Sequence, residues 1–143
     1  MTPEQKQFLN CRLRDATKSQ PELKRLKSML LRIGGVFLVA PPKIDGDVSA
    51  LLESGFLTRG PITIEVMKSS SCHQNVAGLW KRRKAGMVAI AIGYALSDDG
   101  LWRQHTWGIL RDGILETTEA RIEYFGLLLQ GERADEFAAS NAS

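Results

Sequence analysis

The sequence lacks the long apolar run of a membrane-spanning helix, and it contains only two cysteines. A helix needs about 18 consecutive apolar residues to cross a bilayer, and no stretch here approaches that length. Residues 1–6 show no basic segment leading into an apolar one, so we expect no secretory signal. Two cysteines are too few for a disulfide framework, and we expect Cys11 and Cys72 both to be reduced. These absences predict a cytoplasmic protein with no membrane partner.

An excess of one charge is also lacking, since 19 basic residues are interspersed with 16 acidic ones. This balance does not favour nucleic acid as a partner. There is no internal repeat, and the only loose segment is 134–143, which we expect to form a flexible C-terminal tail. Hydrophobic residues make up 43% of the chain, enough to build one core. We therefore expect a single domain over residues 1–133, followed by that tail.

Helical signals dominate the first third of the chain. Thr2, Pro3 and Gln5 form a helix start of the capping-box type. A second start at 19–22 precedes apolar residues at helical spacing over 23–33. After this predicted helical hairpin, we expect a short strand at 36–39, a small helix between Asp47 and Gly55, and a strand at 62–66.

The second half predicts a helix followed by an antiparallel meander. The helix runs from Cys72 to Lys84, and the near-continuous apolar run 87–96 indicates a buried strand. Strands at 101–110 and 114–118 flank a tight turn, while the pattern of 122–129 fits a helix or a final strand. The sequence thus predicts an α+β fold with N-terminal helices and a Cys-bearing helix packed on a small antiparallel β-sheet.

Cys72 stands at the start of its predicted helix, directly after three serines. If one of these serines caps the helix, the thiol lies in the first turn, where unpaired N–H groups and the helix dipole stabilise negative charge. Such a position lowers a thiol pKa from about 8.5, which makes the nucleophilic thiolate accessible near neutral pH. Cys72 shares a helix face with Val76, Leu79 and Trp80, so we expect its sulfur to point toward the sheet.

His105 is the partner that we expect for this thiol. Two-residue alternation places His105, Trp107 and Ile109 on one face of the predicted strand 101–110. We expect the Cys72 helix to cover that face. A cysteine at a helix N-terminus facing a histidine on a strand is the arrangement that a thiolate–imidazolium pair requires.

An acidic residue after the turn at 111–113 would orient the imidazole. If Arg111 pairs with Ile114, Glu116 lies on the same face as His105 but is offset along the strand. A shift in the turn would bring Glu119 closest to His105 instead. Alternation alone leaves both acids open.

These pieces resemble the papain-like cysteine enzymes, and most closely their transglutaminase-like branch. In that branch the histidine strand often reads His-Ala-Trp and the acidic strand Asp-Pro-Thr, which here would be His105-Thr106-Trp107 and Glu116-Thr117-Thr118. The resemblance covers about residues 69 to 118 and favours Glu116 over Glu119. It implies that Cys72 attacks an acyl carbon, that His105 shuttles the proton, and that Glu116 orients His105.

By the same resemblance, the protein would hydrolyse or transfer the acyl group of an amide, peptide or thioester, with a peptide or other acyl substrate and no cofactor. The backbone N–H of Cys72 would form an oxyanion hole with one further donor, for which the candidates are Asn75, Gln104 and Ser70. Trp107 would wall the site. His73, about 100° around the helix from Cys72, would contact substrate at the rim or be a solvated residue at the helix start.

Three other interpretations stay open. Cys72, His73 and His105 are a potential zinc set, but adjacent helix residues chelate one ion poorly and catalytic zinc takes about three protein ligands, so we expect no metal. The basic cluster Lys81 to Lys84 would complement the helix dipole, or it would bind an anion or nucleic acid. If Cys72 is buried and unreactive, the chain is instead a non-enzymatic interaction module.

Overall fold

Residues 1–83 and 86–142, which the computed structural model describes, form an α+β fold of five helices and seven strands. The helices are α1 (Pro3–Ser19), α2 (Leu23–Ile33), α3 (Val48–Ser54), α4 (Cys72–Lys81) and α5 (Gly131–Asn141). The strands are β1 (Phe37–Leu38), β2 (Phe56–Thr58), β3 (Ile62–Ile64), β4 (Ala89–Leu96), β5 (Leu101–Ile109), β6 (Ile114–Glu116) and β7 (Glu123–Leu129). Within this described part of the chain, every helix is too short or too polar to cross a membrane.

The seven strands form one mixed sheet, which differs from the small antiparallel sheet expected. The order is β2-β7-β4-β5-β6-β3, with β1 beside β5. β4, β5 and β7 are antiparallel along their length. β1 and β3 instead lie parallel to β5 and β6, because long crossover segments connect them to these partners.

The outer edge of β5 is shared by two short strands that do not meet. β1 pairs with it at Leu101 and Trp102, and β6 pairs with it at Gly108 and Ile109. In the described residues no strand pairs with this edge over 103–107. Because an open strand edge presents unpaired backbone N–H and C=O groups, this gap is a polar notch in the sheet.

The two faces of the sheet are buried by different parts of the chain. On one face, Ile92 pairs directly with Thr106, and the apolar cluster of Val76, Ile90 and Ala134 joins α4 and α5 to the sheet. The first three helices cover the same face farther along, over Tyr94, Leu96 and Trp102. The opposite face buries a smaller cluster, whose members are Ala91, Ala95, Trp107, Ile114 and Tyr124.

The helix starts in the first third follow the sequence closely. Thr2 and Gln5 form the predicted capping box, with the Gln5 N–H donating to the Thr2 hydroxyl at 3.1 Å and the Thr2 N–H donating to the Gln5 side chain at 2.9 Å. α2 buries Leu23, Leu26 and Leu30, as its apolar spacing predicts. This hairpin is therefore specified locally by its own residues.

The segment 134–143, expected to be a flexible tail, lies mostly within α5. Ala134 and Ala138 are buried, and the Trp80 indole N–H donates to the Asp135 carboxylate at 2.8 Å. The expectation missed that alanine, although small, is the best helix former and lets α5 approach α4 closely. Ser143 lies outside the described residues.

Gly126→Ala tests the close packing of β7 against the β4 backbone and the Trp107 ring. A Cβ at Gly126 would lie 2.6 Å from the Ile92 carbonyl oxygen and 2.8 Å from the Trp107 ring. We expect overpacking to lower the free energy of unfolding by about 1–3 kcal/mol in urea denaturation. Gly46→Ala is the control, because a Cβ at Gly46 meets nothing within 4 Å. Equal stability of the two variants would contradict this packing.

Candidate active site

Cys72 is the first residue of α4, and the chain enters this helix through an unusual turn. Ser70 has a positive φ of 59°, a left-handed conformation that costs a non-glycine residue energy. Ser71 occupies the N-cap position without a side-chain capping bond; its hydroxyl instead donates to the Ser69 carbonyl at 3.5 Å. The backbone N–H groups of the first turn are thereby left free to interact with the thiol.

α4 does not cover the face of β5 that carries His105, contrary to expectation. The His73 ring is hydrogen-bonded to the Thr106 hydroxyl, so α4 lies over the Thr106 face. His105, one residue away, points to the opposite face, where its ring stacks on Trp107 at a centroid distance of 5.9 Å. The expectation was wrong because alternation tells which residues share a face but not which face a helix will cover.

Cys72 and His105 nevertheless come together, because Cys72 lies at the open edge of β5 rather than above the strand. The backbone N–H groups of Thr106 and His73 lie near its sulfur, and the His105 imidazole approaches it from the other face of β5. The thiol therefore lies in the notch between β1 and β6, with donors on both sides.

Glu116 holds the far side of the imidazole. Its Oε1 lies 2.8 Å from His105 Nε2, which leaves Nδ1 as the ring nitrogen for Cys72. The observed register pairs Ile109 with Ile114, so Glu116 lies two residues nearer to His105 than the register assumed from the sequence. This register brings Glu116, and not Glu119, into contact with the ring.

The Glu116 carboxylate is fully buried and accepts four hydrogen bonds. Besides His105, the Tyr124 hydroxyl donates to Oε1 at 2.9 Å. The Thr118 N–H and hydroxyl both donate to Oε2, at 2.9 and 2.8 Å. Such saturation is what a buried carboxylate needs to stay ionised.

Tyr124 and Trp107 complete the support behind His105. The Tyr124 ring lies 5.0 Å from Trp107 and 6.2 Å from His105, and its hydroxyl accepts the Arg121 N–H at 3.0 Å. Sequence reasoning missed Tyr124 because the strand that carries it was not assigned. Because both faces of this strand are apolar, the pattern of 122–129 carried no signal that distinguished Tyr124.

The pKa shifts of Glu116, His105 and Cys72 all favour the charged forms of these groups. Burial raises the pKa of Glu116, but the His105 bond and charge and the Thr118 donors outweigh it and lower the pKa to about 2. Burial lowers the pKa of His105, but the bonds and charges of Cys72 and Glu116 raise it above its usual value. Burial also raises the pKa of the Cys72 thiol, yet His105 and the two backbone N–H groups bring it below its usual value.

Cys72 and His105 open onto a cleft of about 720 Å³. Three of the suggested substrate or oxyanion contacts line this cleft, namely Ser70, His73 and Gln104. The alternative acid Glu119 lines it as well. Burial and the nearby His105 charge lower the pKa of His73 and outweigh the Asp45 charge, which raises it; the net shift favours the neutral form. His73 is therefore a hydrogen-bonding group at the cleft rather than a second cation.

Two of the suggested contacts lie elsewhere. Asn75 is buried, and its side-chain amide donates to the Lys68 carbonyl at 2.8 Å and to the Thr117 hydroxyl at 3.3 Å. Trp107 is fully buried behind His105, and its indole N–H donates to the Thr58 hydroxyl at 3.1 Å. Asn75 thus fastens the segment before α4, and Trp107 backs the imidazole instead of walling the cleft.

The structure also bears on the potential zinc site and on the basic cluster Lys81 to Lys84. Within residues 1–83 and 86–142, no three His, Cys, Asp or Glu side chains are grouped to hold a metal ion. Of the basic cluster, Lys81, Arg82 and Arg83 are exposed at the end of α4, and Lys84 lies outside the described residues. The cluster lies away from the cleft, since none of its described members lines it.

Thiol reactivity tests the Cys72–His105 contact. In Cys11→Ser protein, we expect iodoacetamide alkylation of Cys72 to show a pH midpoint well below about 8.5. His105→Ala should raise the midpoint by at least about one pH unit, because burial then acts without the imidazolium. His73→Ala is the matched control, since this cleft histidine contacts Cys72 through its backbone, and its midpoint should stay near the parent value. A midpoint indifferent to His105 would contradict the contact.

The acid limb of the stability curve tests Glu116. Because its folded pKa is lowered to about 2, Glu116 stabilises the fold above its unfolded pKa of about 4.3 and this contribution is lost as pH falls toward 2. We expect Glu116→Gln to flatten that limb, removing a pH-dependent term on the order of 3 kcal/mol. Glu123→Gln, which breaks a surface pair with Arg59, should keep the limb. Identical limbs in Glu116→Gln and the parent would refute the assignment.

Comparison with known proteins yields no protein-family model, no curated protein and no solved structure that matches this chain. The role of Cys72, His105 and Glu116 therefore has to be argued from their geometry and chemistry.

Proposed function

We propose that this protein is a thiol-dependent acyl-transfer enzyme or hydrolase acting on an amide, peptide or thioester bond. The observation that carries the proposal is the relay from Cys72 through His105 to Glu116, with its innermost bond at 2.8 Å, opening onto a cleft of about 720 Å³. A nucleophile, a base in contact with it and a third group that orients the base form the arrangement needed for nucleophilic catalysis.

In the proposed reaction, the Cys72 thiolate attacks the acyl carbon of the substrate and forms a carbon–sulfur bond. The electron pair moves to the carbonyl oxygen and then returns, expelling the amine or thiol, which takes its proton from the His105 imidazolium. A water or an amine then attacks the thioester, giving its proton to His105 and releasing Cys72. Glu116 keeps the imidazole oriented in both steps.

The oxyanion of the tetrahedral intermediate needs donors in front of the sulfur. The Cys72 backbone N–H, at the first position of α4, is one donor, and the positive end of the helix dipole adds to it. Gln104 and Ser70 both line the cleft and remain the candidates for the second. Asn75 is no longer one, because its amide protons are engaged by Lys68 and Thr117.

The open edge of β5 offers a path for an extended substrate. The Trp102 carbonyl accepts the Val39 N–H at 2.9 Å on this edge, and the Thr106 N–H points to Cys72 on it. Gln104 lies midway, so its N–H and C=O face the cleft by strand alternation. A peptide lying there would form backbone hydrogen bonds beside the nucleophile, which favours a peptide over a compact acyl donor.

The order of the elements supports placing the protein with the papain-like enzymes and their transglutaminase-like branch. A Cys-bearing helix, a histidine strand and an acid-bearing strand follow one another along the chain, and their side chains meet in that order. The mixed sheet and the three N-terminal helices are additions to this shared arrangement, so the assignment concerns residues 69 to 118 and not the whole chain.

Acyl-enzyme formation tests the proposed function. In Cys11→Ser protein, p-nitrophenyl acetate should acetylate Cys72 and release p-nitrophenol, and the adduct should be lost on further incubation. Adding a primary amine should accelerate this loss if the enzyme transfers acyl groups. Cys72→Ala should abolish the adduct, and Glu116→Gln should slow its formation by about 10- to 100-fold, as expected for a disturbed acid–base relay. Mass spectrometry follows the adduct.

His73→Ala serves as the control here as well, because His73 lines the cleft without belonging to the relay. Turnover that persists in Cys72→Ala would overturn the proposal. The acetylation rate of Cys72 in Cys11→Ser protein is also compared with that of the exposed Cys11 in Cys72→Ser protein. Equal rates would overturn the proposal, and the chain would then be better explained as an interaction module.

A further inference from the structure

Positive charge is concentrated in the helical hairpin at the start of the chain. Residues 1–35 contain eight basic and three acidic residues, a formal net charge of +5. The remaining 108 residues carry eleven basic and thirteen acidic residues, a net charge of −2. The near balance of the whole sequence therefore hides a strongly cationic unit formed by α1 and α2.

The cations of this unit line a groove between the two helices. Arg14 and Lys18 of α1 face Lys24 and Lys27 of α2 across a cavity of about 510 Å³, whose floor includes Leu13 and Leu23. Among the described residues that line it, none is acidic. The groove shares no lining residue with the cleft at Cys72.

The internal partners available to these cations are weak. Lys18 lies 3.9 Å from Asp15, and both side chains are about three-quarters exposed, so this pair contributes little. Lys27 lies over the Phe37 ring at 5.1 Å, and that contact does not neutralise its charge. The groove thus presents four cations around an apolar floor.

We propose that this groove binds an acidic, amphipathic segment of a partner protein. Carboxylates of the segment would pair with the cations on both rims, and its apolar side chains would contact Pro21 and the aliphatic stems of the lysines, beneath which Leu13 and Leu23 are buried. A helical ligand that buries one apolar face in a groove is an established mode of peptide recognition. The proposal is independent of the chemistry of Cys72.

The lining favours a peptide over nucleic acid. No aromatic side chain is among the described residues of the groove, whereas single-stranded nucleic acid is usually bound by stacking on aromatic rings. Three of the four cations are lysines, which lack the planar fork with which arginine grips phosphate in two bonds. Apolar floor residues are also of no use to a phosphate backbone.

Fluorescence anisotropy with a short synthetic peptide tests the proposal in the full chain. The probe carries glutamates on one helical face and leucines on the other. We expect saturable binding at low salt that weakens at physiological ionic strength, about 0.15 M. Lys18→Ala with Lys24→Ala should weaken binding at least about threefold, the size expected for two exposed ion pairs.

Arg25→Ala with Arg32→Ala is the matched control, because it removes two exposed cations of α2 that do not line the groove. This variant should bind within about twofold of the parent. Equal weakening by both double variants would mean that only net charge matters, and it would overturn the proposal.

Two further probes complete the test. A peptide with serine in place of leucine should bind more weakly, and equal binding would remove the apolar floor from the interaction and refute the amphipathic ligand. A single-stranded oligonucleotide of equal charge that bound more tightly than the acidic peptide would assign the groove to nucleic acid instead. Absence of peptide binding to the parent protein at low salt would also overturn the proposal.

Discussion

The hydrogen bond between His105 and Glu116 is the interaction on which the centre of this structure depends. A buried carboxylate is costly unless every oxygen is satisfied, and Glu116 meets this demand with donors from β5, from β7 and from the segment after β6. One side chain thereby connects β5, β7 and the segment after β6, although β4 lies between β5 and β7 in the sheet. Removing one donor would leave one oxygen of this buried carboxylate with a single hydrogen bond, so the network favours the register of these strands as well as the orientation of the imidazole.

The second constraint is the broken outer edge of β5. α4 packs on the Thr106 face, whereas His105 points to the other face, and a continuous sheet would keep the two apart. Because β1 and β6 each cover only two residues of β5, the N-terminus of α4 can lie beside the strand. Cys72 reaches the imidazole around this edge, and the same gap leaves the backbone of Gln104 without a strand partner in the described residues.

The sequence predicts local features well and tertiary placement poorly. The capping box of Thr2 and Gln5 was predicted correctly because all its groups lie within one turn. Alternation put Glu116 on the His105 face, but the assumed register was two residues off, because tight turns of similar sequence allow several registers. The face covered by α4 was wrong, since that choice depends on α5 and β7, whose residues gave ambiguous or loop-like signals. Tyr124 was missed for the same reason.

Glu116 and His105 also influence the pH range in which the fold is most stable. Glu116 contributes fully above its unfolded pKa, because its folded pKa is lowered. His105 has a raised folded pKa, so its contribution is complete below about 6.5 and is lost as pH rises through the folded value. The population of the Cys72 thiolate has the opposite pH dependence, because it increases as the pH rises. Burial opposes both shifts, but the contact between the two groups lowers the pKa of Cys72 and raises the pKa of His105, so the pH ranges of thiolate and imidazolium lie closer together than for the free side chains.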